Sequence, residues 1–378
     1  MKLSFNIIPS SSHYYSSAFP RQLHFLKPSR PHALRGVRMD SSSSTSDGRK
    51  DKIVVIMGAT GCGKSKLSID LATRLLFHRS EIINSDKMQV YNGLDITTNK
   101  IPLLDRRRVP HHLLGDFDPN RGEFTPYDFR LAAGLAISDI VSRQKVPIVV
   151  GGSNSFIHAL VVDRFDPDVD VFNGADPHPG WTELRYKCCF IWVDVSFSVL
   201  CDYLCKRVDE MLETGMLEEL AEYHGCRGQP GLRKAIGVPE FDPYLDKYPP
   251  GRAGNEGEWD LVRIGAYEKA VREIKENTCE LAKRQIGKIM RLKGAGWDLQ
   301  RVEATEAFRE VLLNRNGNIE AEKFNNNNTK KNRDYRNIDD EVVIKKRKKK
   351  RKKKRWTAVW EREVVEASVK IVKRFLEE

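Results

Sequence analysis

Acidic residues are missing from the first 39 positions of this 378-residue chain, and long apolar runs are missing from all of it. No apolar stretch approaches the ~18 residues of a membrane-spanning helix, so no span is expected. The seven cysteines, Cys62, Cys188, Cys189, Cys201, Cys205, Cys226 and Cys279, include no C-x-x-C pair and no Cys/His set at zinc-ligand spacing. That argues against a zinc module and against a disulfide framework. An odd number of thiols, scattered mostly through apolar contexts, is expected to stay reduced in an intracellular compartment. What the chain has in excess is basic charge, a net +12. The excess is peripheral: residues 1–50 carry +6 and the run Lys345–Arg355 carries +11, leaving the remainder at −5. A mildly acidic body is a poor surface for nucleic acid, which the total charge alone would have suggested.

The length allows two or so domains, and 40% apolar residues are enough for a sizeable core. Residues 1–47 hold twelve serines with several Arg and His. This composition is that of an organellar transit peptide, without the continuous apolar centre of a secretory signal. Serine density favours a plastid over a mitochondrion or the cytosol, and an ordinary disordered N-terminus is the alternative.

The most informative stretch is Lys52 to Lys66. Ile53 to Met57 read as a short buried strand, and Gly58, Ala59, Thr60, Gly61, Cys62, Gly63, Lys64 and Ser65 then fit the phosphate-loop pattern G-x-x-x-x-G-K-[ST]. The glycines let successive N–H groups point inward, and a helix predicted from Lys64 to about Phe77 offers its positive end. Lys64 adds a charge, and the Ser65 hydroxyl is a candidate Mg²⁺ ligand. Such a loop holds a di- or triphosphate without saying whose.

A second strand is expected at Glu81 to Asp86, placing the Asp86 carboxylate at the edge of an open α/β sheet where ligands sit. A helix is predicted over Tyr127 to Arg143, and a strand, Val146 to Val150, then runs into the glycine turn Gly151-Gly152-Ser153-Asn154. Lys187 to Val195 reads as another buried strand ending near Asp194, either a Walker-B-like acid or a plain strand end. The pattern from Val199 to Tyr223 is one strong helix carrying Arg207, residues 231–240 a basic connector, and Glu258 to Lys293 one long helix or two. His111 and His112 have no third ligand in view and are expected to be structural. The expected architecture is α/β, a parallel sheet like that of P-loop NTPases with a largely helical second half. The expected segments are 1–47 leader, 48–195 α/β core, 196–314 helical clamp, 315–355 low-complexity basic insert and 356–378 C-terminal helix. The basic insert is read as solvated and disordered, or as a targeting or nucleic-acid-contacting patch.

The segments GATGCGKSKLSIDLA (58–72), INSDKMQVYNGLDITTNKI (83–101), VPHHLLG (109–115), VVGGSNSFIHALV (149–161), CCFIWVDVS (188–196), RVDEMLETGM (207–216), RKAIGVPEF (233–241) and LAKRQIGKI (281–289) together resemble the isopentenyltransferases, in particular their plant adenylate branch. The resemblance runs from Lys52 to about Val311 and resumes at Trp360 to Leu376. It implies a prenyltransferase using Mg²⁺, with dimethylallyl diphosphate in the phosphate loop and ATP or ADP, less so AMP, entering from the other side. It implies that Asp86 is the general base and Ser153 an assisting hydroxyl, and that Lys64 and Ser65 contact diphosphate and Mg²⁺. Arg207, Lys283 and Arg284 resemble the clamp on the leaving group, with Lys234 a further candidate. The absence of a Cys/His module at the C-terminus and the −5 body favour a free nucleotide over tRNA as acceptor. A tRNA-modifying enzyme, a small-molecule kinase sharing the loop, and an inactive binding protein are the rival readings. A monomer is expected.

Overall fold

A computed structural model of the chain describes residues 50–75, 79–173, 183–225, 229–249, 261–313 and 355–378. The serine-rich leader, residues 315–354 of the basic insert and the predicted helix end at Phe77 lie outside these residues.

Residues 52–57 alternate between two apolar environments. Ile53, Val55 and Met57 pack into one cluster, and Val54 and Ile56 pack into a second on the opposite face. A strand that is apolar on both faces must lie in the middle of a covered sheet. This strand, β1 (Lys52–Met57), does so. The sheet has six strands in the order β3-β2-β4-β1-β5-β6, with β2 (Ser80–Asn84), β3 (His111–His112), β4 (Val146–Val150), β5 (Lys187–Asp194) and β6 (Leu299–Glu303). Every pairing is parallel. The expected parallel sheet is therefore present. The edge strand β6 was not foreseen: its sequence LQRVE buries only Val302 and carries a weak apolar signal.

Helices cover both faces. On one, α2 (Pro126–Ser142) and α3 (Asn154–Val161) pack with α5 (Met216–Gly225), α6 (Val238–Lys247) and most of the 34-residue α7 (Leu261–Gly294). The other face is covered by α1 (Lys64–Arg74) and the C-terminal α8 (Glu366–Glu377). A reciprocal capping box starts α2: the Thr125 hydroxyl accepts from Asp128 N–H, and the Asp128 carboxylate accepts from Thr125 N–H.

Two expectations need correction. The helix predicted from Val199 to Tyr223 is two helices, α4 (Phe197–Glu213) and α5, because Gly215 has φ +103°, which an α-helix cannot contain. The break turns Glu219 toward the loop after β2, where it accepts bonds from Ile96 N–H, Thr97 N–H and Thr97 O–H. The connector expected over 231–240 already contains the start of α6. Pro239 lies in its first turn, where a missing N–H costs nothing, and Glu240 accepts from Gly237 N–H.

His112 is structural, as expected. Its Nε2 lies 2.8 Å from Glu81, a buried carboxylate on β2 that also accepts from Arg143 and Lys145. These bonds, Arg143 first, hold the Glu81 pKa far below its ordinary 4.5. A depressed carboxylate contributes stability that is complete above the unfolded value and is lost as pH falls toward the folded one. Glu81→Gln is expected to be less stable than the parent by about 1–3 kcal/mol at pH 7 in urea titrations. The gap should shrink as the pH is lowered from about 5 to about 3; a gap independent of pH would contradict the account.

Candidate active site

In a parallel sheet the C-terminal strand ends share one edge, and the register sets which groups share it. Ile56 and Asn84 both pair with Val150, so β1, β4 and β2 finish level with one another. The next residues of each chain are the phosphate loop, Gly151-Gly152-Ser153 and Ser85-Asp86. They can meet only because Gly151 has no side chain: a Cβ there would lie 2.3 Å from the Ser85 carbonyl carbon. Ser85 N–H donates to Val150 C=O, and Ser153 N–H returns a bond to Ser85 C=O.

The cationic end of this edge is the phosphate loop. Lys64 is buried and curls back so that its ammonium donates to Ala59 C=O at 2.6 Å, spanning the loop. Arg207 reaches the loop from α4, donating to the Thr60 hydroxyl at 3.2 Å. Its Nε is enclosed without a hydrogen-bond partner among the described residues, and burial pushes its pKa down. A desolvated guanidinium of this kind favours an anion alongside it. Ser65 is exposed at the start of α1.

The other end is neutral to acidic. Asp86 is half-buried; its Oδ1 accepts from Met88 N–H at 3.0 Å, which fixes the carboxylate orientation. The Asp86 charge is felt at both Arg207 and Lys100, as expected of one shared crevice. The Ser153 hydroxyl accepts from Lys87 N–H at 2.9 Å, tying the two turns together. At the rim, Glu123 accepts from Lys87 and from Lys234, and these bonds hold its pKa down to about 2. Asp194 is taken by Arg301, which donates to it from Nε at 2.7 Å; it is an ion-paired strand end. No group of three His, Cys, Asp or Glu side chains able to hold a metal occurs among the described residues.

The structure thus brings Lys64, Arg207, Asp86 and Ser153 to one edge. Lys283 and Arg284 make no hydrogen bond to the loop among the described residues. Both are exposed on α7, and Lys283 lies 3.9 Å from Glu280. Their neighbour Gln285 makes the contact instead: its Oε1 accepts from Thr60 N–H at 2.7 Å and its Nε2 donates to Gly152 C=O at 2.9 Å. Two residues along an α-helix turn by about 200°, so Lys283 and Gln285 point to nearly opposite sides. Gln285 carries no charge to mark it in the sequence; the signal for it is its place on the buried face of α7, in line with Thr278, Ala282, Ile289 and Leu292.

A parallel sheet with a phosphate-loop sequence after its central strand and a carboxylate at a neighbouring strand end defines an α/β enzyme of the P-loop type. Within that class the model for the IPP transferase family matches residues 89–177 and 170–289. The chain is 54% identical over 334 residues to an adenylate isopentenyltransferase of Humulus lupulus, spanning 85% of this chain and 90% of the relative. It is 49% identical over 348 residues to "Adenylate isopentenyltransferase 1, chloroplastic" of Arabidopsis thaliana, spanning 91% and 85%. Other Arabidopsis relatives are also named chloroplastic, and one is named mitochondrial. Among solved structures, a eukaryotic dimethylallyltransferase acting on tRNA superposes with a TM-score of 0.54 at 28% identity, covering 68% of this chain and 74% of that one. A full-length tRNA isopentenylpyrophosphate transferase of Bacillus halodurans gives 0.53 at 26%, covering 74% and 100%. This chain belongs to the IPP transferase family.

Gln285→Leu keeps the volume but strands the Thr60 N–H and the Gly152 C=O. A loss of about 1–3 kcal/mol in denaturant titrations is expected. Lys283→Ala, by contrast, should stay within about 0.5 kcal/mol of the parent. Equal effects would show that the bridge carries no weight.

Proposed function

We propose that this chain transfers the dimethylallyl group of dimethylallyl diphosphate to N6 of the adenine of ATP or ADP. The observation that carries the reading is the division of one sheet edge into a cationic loop, Lys64 with Arg207, and a carboxylate–hydroxyl pair, Asp86 with Ser153. The relatives named adenylate isopentenyltransferases, similar over most of their length, support the same acceptor.

In the proposed reaction the N6 lone pair attacks the allylic C1 of the donor as the C1–O bond breaks. The bonding electrons leave with the diphosphate, and one N6 proton passes to the Asp86 carboxylate. The adenine amine is a weak nucleophile because its lone pair is delocalised into the ring, so a carboxylate that takes the proton as the C–N bond forms lowers the barrier. Ser153 lines the same side and orients the reacting centre. Lys64 and Arg207 stabilise the charge that grows on the departing diphosphate, a kind of contact worth about 2–4 kcal/mol. The donor set suits Mg²⁺: the exposed Ser65 hydroxyl stands at the loop, and a Mg²⁺ site of this type takes few protein ligands and fills the rest with phosphate oxygens and water. When bound there, the ion would neutralise diphosphate charge. Asp194, committed to Arg301, is not among its ligands in this reading.

The test is mass spectrometry of products after incubating the full chain with Mg²⁺, dimethylallyl diphosphate and AMP, ADP, ATP or unmodified tRNA in separate reactions. One added five-carbon prenyl group on ADP or ATP is expected. Prenylated tRNA alone would shift the function to RNA modification, and phosphate transfer without prenylation would make the chain a kinase. Asp86→Asn is expected to lower turnover by about 10²- to 10⁴-fold while donor binding persists; near-normal turnover would remove Asp86 from the mechanism. The serine-rich first 47 residues and the relatives named chloroplastic support delivery to plastids. A fluorescent fusion of residues 1–50 should collect there, and a mitochondrial or cytosolic signal would contradict it.

A further inference from the structure

The phosphate loop is held from behind by a residue far along the chain. Trp360 is 1% exposed, and the outer edge of its indole packs against Gly63. A Cβ on Gly63 would come within 2.5 Å of its ring, and Gly63 has φ +90°, the left-handed turn that feeds the loop into α1. The indole N–H donates to Asp70 at 2.9 Å. Asp70 is itself buried, on the second turn of α1, and also takes Lys66 at 2.6 Å. Lys66 in turn lies over the stacked rings of Trp356 and Trp360. Immediately after Trp360 the helix widens into a π-turn, Glu361–Val365, and Glu361 pairs with Arg74 at the far end of α1. Such π-turns are rare and recur where a side chain must be re-aimed at a functional site. Trp360 lies outside the residues matched by the family model.

We propose that Trp360 is a positioning residue for the phosphate loop, its ring fixing the backbone at Gly63 and its N–H fixing α1 through Asp70. The C-terminal segment is then part of the donor site although it touches no substrate. This rests on the reading that the loop holds the donor diphosphate. Misplacing a binding loop by a fraction of an ångström weakens donor contacts and leaves acceptor contacts in place.

The experiment uses the full chain and two readouts: calorimetric binding of inorganic diphosphate with Mg²⁺, and steady-state kinetics with donor and acceptor varied separately. Trp360→Phe removes both the N–H and the outer edge of the indole, Cη2 and Cζ3, that faces Gly63. It is expected to weaken diphosphate binding and raise donor KM by about five-fold or more, one net hydrogen bond plus the lost contact with Gly63, with acceptor KM unchanged. Asp70→Ala should give a similar shift, and the double variant little more than either, since the two side chains act as one unit. Phe375→Leu, at the other end of the C-terminal helix, tests mere docking; it should lower thermal stability and leave donor KM alone. If Trp360→Phe lowers stability as Phe375→Leu does while diphosphate affinity and donor KM stay within twofold of the parent, Trp360 is only core packing and the proposal fails. If the parent chain itself does not bind diphosphate, the reading of the loop fails first and the proposal with it.

Discussion

The energetic problem around which this molecule is arranged is the Arg207 guanidinium, pressed against the phosphate loop with its Nε shut off from solvent. Taking cationic groups out of water is costly unless an anion compensates them. No carboxylate forms an ion pair with Arg207 or Lys64 among the described residues, and Lys64 makes do with a loop carbonyl. Other carboxylates are already paired, Asp194 with Arg301, Glu123 with two lysines at the rim and Glu210 with Lys206, and Asp86 acts on Arg207 only at longer range. In the proposed reaction the donor diphosphate supplies that compensation, and a diphosphate that gains charge as it leaves suits the site better than a static one.

The remaining contacts keep that cationic end rigid and separate from the carboxylate end. Gln285 bridges the loop and the Gly152 turn with both ends of its amide, and Gly151 lets the β2 and β4 ends approach to backbone contact. Asp86 and Ser153 are each oriented by a backbone N–H from the same short turn. Had the carboxylate lain within ion-pair distance of Arg207, each would have neutralised the other. At longer range Asp86 supports the arginine charge, and in the proposed reaction its carboxylate takes the N6 proton.

Much of this was legible in the sequence, because phosphate loops and buried strands are local. The residues 53–57 show their two-sided burial as an unbroken apolar run, and the fixed positions from Gly58 to Ser65 state the loop outright. Asp86 and Ser153 could be placed because a strand end is where a parallel sheet presents chemistry. The illegible parts depend on distant partners or on helix phase. Nothing near Trp360 announces that its ring will sit beneath Gly63. Lys283 and Arg284 drew attention by charge, whereas the uncharged Gln285 between them and the core face makes the contact. The break at Gly215 hid inside a strongly amphipathic pattern, since periodicity continues across a single turn, and the half-exposed β6 buries a single apolar residue, too little to signal a strand.

The most direct test of the account is a crystal structure of the full chain with ADP and a dimethylallyl diphosphate analogue whose C1–O bond cannot break. The account places the analogue's diphosphate in the loop against Lys64 and Arg207, and the adenine N6 between Asp86 and the allylic carbon. The ADP phosphates bound in the loop, with the prenyl compound elsewhere, would contradict it and turn the site into that of a nucleotide-dependent phosphotransferase.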